Sequence, residues 1–149
     1  MYRIVFTIFF ITLSISSKGQ AIAADRIVGE WLSENKDRKI EVYKVGQEFF
    51  GKLIWSASLF EADGKTARKD IRNRNVSLRD RPLQNVDILT NFIYGDEIWD
   101  GGKMYDPQSG KTYNCIMRLK NELLEVRSYI GFPLLGSSTY WKRSPRESL

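Results

Sequence analysis

From residue 27 onward, apolar and polar positions alternate in short runs separated by Gly, Asn, Asp and Pro. A period of two marks a strand with one face buried. Such runs cover residues 27–33, 39–45, 49–57, 86–94, 111–119, 123–130 and 137–143. Two further short runs, 97–99 and 103–105, flank Gly101-Gly102, so the pattern predicts eight or nine strands. Turns are expected at 46–48, 95–96 and 120–122, and residues 131–136 form a connector. Gly51, inside the third run, predicts a bulge or a sharp bend of the kind closed sheets need at corners. No helical period of any length appears. The chain is predicted to be all-β, a small antiparallel sandwich or barrel.

One stretch breaks the rhythm. Residues 59–83 hold the turn Asp63-Gly64 and a dense set of arginines, with a short helical turn expected near 76–79. A connection this long inside a compact domain is functional or disordered. A second stretch, Ser109-Gly110-Lys111-Thr112, has the look of the end of a phosphate-binding loop. Such a loop needs glycine five positions before Gly110 and a helix after it, whereas that position is Tyr105. The residues after Lys111 alternate instead: Tyr113, Cys115, Met117 and Leu119 share one face, and Thr112, Asn114 and Arg118 the other. Residues 106–110 are therefore a hairpin loop, with Pro107 presetting the turn and Gly110 in the left-handed position.

The first 23 residues belong to export rather than to the fold. Arg3 precedes an almost wholly apolar run, 4–15, and Ala21-Ile22-Ala23 fits the small-x-small pattern of signal peptidase sites. The expected division is a signal peptide over 1–23 and a single β-barrel domain over 24–149. Cleavage before Ala24 releases the domain to the periplasm or beyond. No cysteine follows the apolar run closely enough for a lipid anchor, and no later segment has the length of a membrane span.

Charge and composition narrow the chemistry. The formal charge is +5, and removal of Arg3 and Lys18 with the leader lowers it to about +3. That is too mild to call for nucleic acid, and an exported protein is not expected to meet it. The absence of histidine rules out Ser-His-Asp and Cys-His catalysis and His-based zinc sites. No acidic cluster has calcium-loop spacing, so neither metal nor cofactor is expected. The single cysteine, Cys115, has no internal partner for a disulfide and sits in the pattern of a buried thiol. Asp96, Glu97 and Asp100 cluster near Trp99; they suit a solvated turn better than the carboxylate pair of a glycosidase. No catalytic residue is assigned, and an enzyme ranks last among the functional readings.

Motifs along the chain add a resemblance. Gly29-Glu30-Trp31 at the start of the first strand resembles the opening of lipocalins and related calycin barrels, in which an Arg of the last strand covers the Trp. Arg143, after Trp141 and Lys142, is the matching partner for Trp31 by cation–π contact. A longer series resembles the bacterial family of unknown function DUF2147. It runs through Gly51-Lys-Leu-Ile54, Arg79-x-Arg81-Pro82, Trp99-x-Gly-Gly102, Tyr105-Asp-Pro107, Gly110-Lys-x-Tyr113, Tyr129-Ile-Gly131 and Trp141-x-Arg143. Val86 and Ser128 stand where that pattern expects glycine. The resemblance covers the whole of the expected domain. It implies an exported, calycin-like β-barrel, and it implies no activity.

In such a barrel Gly29, Trp31, Trp141 and Arg143 are structural. Trp55, Trp99, Tyr113, Met117 and Ile130 either pack the core or wall a ligand cavity. Arg79 and Arg81 either tie the long loop to Asp70, Asp80 or Asp106, or grip a carboxylate or phosphate. Arg127 lies outside if Leu124 and Val126 face the core, and lines the cavity if Tyr129 does. The leading expectation is a binding module for a small amphipathic or acidic molecule, held at the barrel mouth by Arg79, Arg81, Trp55, Trp99, Tyr113, Arg127 and Tyr129. The rival expectation is an envelope interaction protein with a filled barrel.

Overall fold

The alternating runs become eight strands. A computed structural model of the protein describes residues 16–144. The strands are β1 Gly29–Ser33, β2 Arg38–Val45, β3 Glu48–Ser56, β4 Asp87–Gly95, β5 Ile98–Asp106, β6 Lys111–Lys120, β7 Leu123–Tyr129 and β8 Ser137–Arg143. Each pairs antiparallel with its neighbour in sequence, and β8 returns to β1 to close the barrel. The closing register sets Trp31 opposite Arg143 and Ser33 opposite Trp141. Among the described strands, closure leaves no edge unpaired.

The choice between eight and nine strands is settled at Gly101-Gly102. The two predicted runs there are a single strand, β5, with a register shift between Trp99 and Gly102 against β6. A Cβ on Gly102 would lie 2.4 Å from the ring of Phe92, so this glycine lets the buried Phe92 lie flat against the strand. Gly51 plays the bending role expected of it. Register shifts against β4 occur on both sides of it, and the Leu89 side chain approaches to 2.9 Å of where its Cβ would stand.

One end of the barrel is closed. Helix α1, Ser16–Ala24, and a single 3₁₀ turn, Asp25–Ile27, precede β1. Residues 1–15 of the expected signal peptide lie outside the described residues. Ala24 and Ile27 are both buried, and their carbonyls take hydrogen bonds from two core indoles: Trp99 Nε1 to Ala24 O at 3.1 Å and Trp31 Nε1 to Ile27 O at 2.8 Å. Buried indoles need such acceptors. Two hairpins turn at this same end, through Asp96-Glu97 and Asn121-Glu122, all with positive φ between 48° and 63°. Paired left-handed residues make the tight turns that match strand twist.

The other end carries the longer connections: 34–37, 57–86, 107–110 and 130–136. The core runs between the ends as one cluster that includes Trp31, Val42, Phe49, Phe92, Cys115 and Leu124.

Candidate functional site at the open end

The long connection 57–86 is an ordered cap. Short bridges join Phe60 to Ala67 and Lys69 to Pro82, and a 3₁₀ turn spans Val76–Leu78, where the sequence predicts a helical turn. Asn75 caps that turn by accepting from Ser77 N at 3.1 Å. Its organising group is Asp70, which is almost fully buried. One carboxylate oxygen accepts from Arg81 Nε and Nη2 at 3.0 and 2.8 Å and from Asn73 Nδ2 at 2.8 Å; the other accepts from the Tyr105 hydroxyl. Burial, then the bond to Asp70, pushes the Tyr105 hydroxyl up to about 12. The same cap is fastened to the β5–β6 hairpin, where Arg72 Nη1 donates to Gln108 O. Gly110, at φ +69°, leaves room there, since a Cβ would fall 1.9 Å from Arg72 O.

Beneath this cap lies a cavity of about 110 Å³. Ile40, Leu53, Leu89, Met104, Val126 and Trp141 form its walls, and Leu59 and Leu83 of the cap close it. Polar groups stand at its rim: Arg38, Ser56, Asp106 and Thr139. The guanidinium of Arg38 lies 5.8 Å from the Trp141 ring centre, and Trp141 Nε1 donates to Thr139 Oγ1 at 3.0 Å. A second, more open groove of about 660 Å³ runs over the cap, with Arg68, Lys69, Arg72 and Ile71 along it. Cavity and groove share Ser58, Leu83, Pro107 and Gln108 as a common wall. In the groove, Arg68 contacts Glu61 at 3.3 Å and Lys69 contacts Asp80 at 3.0 Å, both exposed pairs that an incoming anion can displace.

The model of a family described as an uncharacterized protein conserved in bacteria, DUF2147, matches residues 29–143. The chain belongs to DUF2147. No curated protein matches it. Among solved structures it is similar to protein HP1028 from the human pathogen Helicobacter pylori, which belongs to the lipocalin family. The two are 27% identical over 81% of this chain and 84% of that one, with a TM-score of 0.68. The eight-stranded barrel of this DUF2147 member is thus a lipocalin-like fold.

The structure distributes the sequence-predicted residues unevenly. Gly29, Trp31, Trp141 and Arg143 lie at the β8–β1 closure, and Trp141 additionally walls the cavity. Arg81 is taken up by Asp70, and Arg79 Nε donates to Asn73 O at 2.8 Å. Both arginines are engaged within the cap, Arg81 through an acid and Arg79 through a backbone carbonyl. Trp55 points outward and is 43% exposed, because the bulge in the β2–β3 pairing sets Leu53 and Ser56, rather than Trp55, against the interior. Trp99 is buried at the closed end, away from the mouth. Arg127 and Tyr129 lie on the outer face, since Leu124 and Val126 belong to the core. Ile130 is exposed and no cavity wall. Tyr113 pairs with the cavity residue Met104 across β5–β6 and is half-buried, without lining the cavity itself. Asp96 and Glu97 form the hairpin turn at the closed end, and Asp100 accepts from Gly101 N at 2.6 Å, so these carboxylates sit apart from the cavity. Among the described residues no three His, Cys, Asp or Glu side chains gather into a metal-binding group.

Sequence reasoning missed Arg38, Arg68, Lys69 and Arg72 as rim residues. A signal existed for Arg38, whose position after the turn Glu34–Asp37 puts it at the mouth of the first hairpin. For the other three the sequence shows the basic character of the loop, and only the fold of the cap shows which cations line the groove.

Proposed function

We propose that this protein is an exported carrier or sensor of a small amphipathic anion. A short alkyl segment or a single ring enters the cavity beneath the cap, and an acidic head group lies in the groove against Arg68, Lys69 and Arg72. The observation that carries this reading is the shared wall of Ser58, Leu83, Pro107 and Gln108, which sets an apolar chamber beside a basic groove. At about 110 Å³ the chamber is smaller than the roughly 300 Å³ at which drug-sized pockets begin. It is closer to the roughly 150 Å³ of an apolar cavity that admits benzene. The reading therefore favours a slim apolar part over a bulky one. The similarity to a protein of the lipocalin family supports a barrel that holds a ligand at its mouth. The leader-like residues 1–23 support export, and the reading includes no catalytic step.

Calorimetric titration with octanoate and with octylamine tests this. Octanoate is expected to bind and octylamine to bind far more weakly. Val126→Phe, which fills the chamber, should abolish octanoate binding, and Arg68→Ala with Arg72→Ala should weaken it. Equal binding of both amphiphiles, or binding untouched by Val126→Phe, would count against the assignment.

A further inference from the structure

The connection between β7 and β8 presents four large apolar side chains to water. Ile130 is 75% exposed, Phe132 75%, Leu134 87% and Leu135 80%. Single exposed apolar residues are ordinary, but a cluster of this kind marks a contact surface. The loop is also held in shape. Arg127 donates through Nε to Pro133 O at 2.7 Å, through Nη2 to Leu134 O at 3.1 Å, and through Nη1 to Ser138 Oγ at 2.9 Å. Leu135 N and Gly136 N close the turn onto Phe132 O and Pro133 O, each at 3.1 Å. A Cβ on Gly136 would stand 2.5 Å from Ser128 O, so glycine lets the loop fold tightly against β7. An outward arginine thus fixes a loop whose large apolar side chains stand in water.

The charge at this end of the barrel is net positive. No Asp or Glu occurs from residue 126 to residue 143. The adjoining 34–37 connection balances Glu34 and Asp37 against Lys36 and the following Arg38, and Arg127 stands on the outer wall of β7 beside the loop. The carboxylate on that wall, Glu125, is buried and held by Ser138 and Lys120. The cap, which rises from the same end of the barrel, holds seven Lys and Arg against four Asp and Glu over 57–86. Among the described residues, Lys65 and Arg74 of the cap form no ion pair.

We propose that the open rim docks on an anionic lipid bilayer, with the 130–136 loop entering the headgroup region and the cations of the cap meeting lipid phosphates. Stable attachment to a bilayer takes an apolar insertion together with a basic surface, and the rim supplies both. A second copy fits this rim less well, because a two-fold contact through the loop brings the net positive ends of two barrels together. The inference does not depend on what the cavity holds.

The test is co-sedimentation of the protein, recovered from a host that exports the full chain, with vesicles. One set contains phosphatidylglycerol and phosphatidylcholine, the other phosphatidylcholine alone. The protein should pellet with the anionic vesicles at low salt and less so at high salt. Leu134→Glu with Leu135→Glu should lower that binding at least about ten-fold, the factor that burial of one leucine is worth. Lys65→Glu or Arg74→Glu should each lower it about five-fold or more. Val45→Glu, an exposed site at the closed end, should leave it unchanged. Three results would overturn the proposal. One is no pelleting with anionic vesicles, and another is equal effects of the loop and Val45 variants. The third is a dimer in solution that the loop variant turns into a monomer, since a second copy would then be what covers the loop.

Discussion

The guanidinium of Arg143 lies over the ring of Trp31, 4.3 Å from its centre, and at the same time donates to two backbone carbonyls, Val28 O at 3.0 Å and Arg26 O. This contact joins the last strand to the segment that plugs the closed end. Gly29, with φ +130°, makes room for it, since a Cβ there would lie 2.9 Å from Arg143 Nη1. Trp31→Ala should destabilise the fold by about 3–5 kcal/mol, the range for a buried tryptophan. Arg143→Ala should cost about 2 kcal/mol, from the lost cation–π contact and charge-assisted hydrogen bonds. Arg143→Lys should recover only part of this, because an ammonium cannot reach both carbonyls in the plane of a fork. Urea unfolding midpoints measure all three, and a silent Trp31→Ala would contradict the closure role.

Asp70 should govern the cap more than the barrel. Asp70→Ala strips acceptors from Arg81, Asn73 and Tyr105 at once, a loss of about 2–3 kcal/mol given that Arg81 is partly exposed. The expected readout is local. Trypsin should cut within residues 65–81 far faster than in the parent chain, while the far-ultraviolet spectrum of the barrel is retained. Unchanged proteolysis would show that the cap is held by other contacts.

Three groups with large upward shifts, Tyr43, Tyr105 and Cys115, should weaken the fold at alkaline pH. Burial is the first cause in each, with Asp70 beside Tyr105, Asp87 beside Tyr43 and the more distant charge of Asp100 acting on Cys115. Tyr43 and Tyr105 are pushed up from 10.0 to about 12, and Cys115 from 9.0 to about 12. Folded-state values above the unfolded ones mean that the folded chain holds more protons in that interval. Their stabilising effect is complete below pH 9.0 and is lost as pH rises through the interval toward about 12. Urea midpoints should therefore fall steadily above pH 9.0. A flat profile would contradict the proton-retaining surroundings of these groups.

Cys115 is fully buried, so a thiol reagent should label it only after unfolding. Labelling of the folded protein at neutral pH, at the rate of a free thiol, would contradict its place in the core.

The barrel was legible because its information is local. Period-two alternation and turn residues each speak for themselves within a few residues, and the pairing of Trp31 with Arg143 followed from the resemblance to calycin barrels. The site was less legible because side-chain direction depends on bulges. The shift between Lys39 and Ile40 in the β2–β3 pairing turns Trp55 outward, and strand parity alone could not decide whether Val126 or Arg127 faced the core. Which of Asp70, Asp80 and Asp106 takes Arg81 lay beyond reach for another reason. Asp70 becomes buried only when 57–86 folds over Tyr105, a contact across 35 residues that no local pattern encodes. The apolar cluster of 130–135 was visible as a connector, but its exposure emerged only with Arg127 placed outside.

The central claim is that the chamber beneath the cap holds a small amphipathic anion. Native mass spectrometry of the protein taken gently from the envelope fraction of its source tests it most directly. The account predicts an adduct that is released on denaturation, identifies as a slim amphipathic acid, and is absent from the Val126→Phe variant. A clean mass without adduct under every gentle condition, or an adduct retained by Val126→Phe, would contradict it.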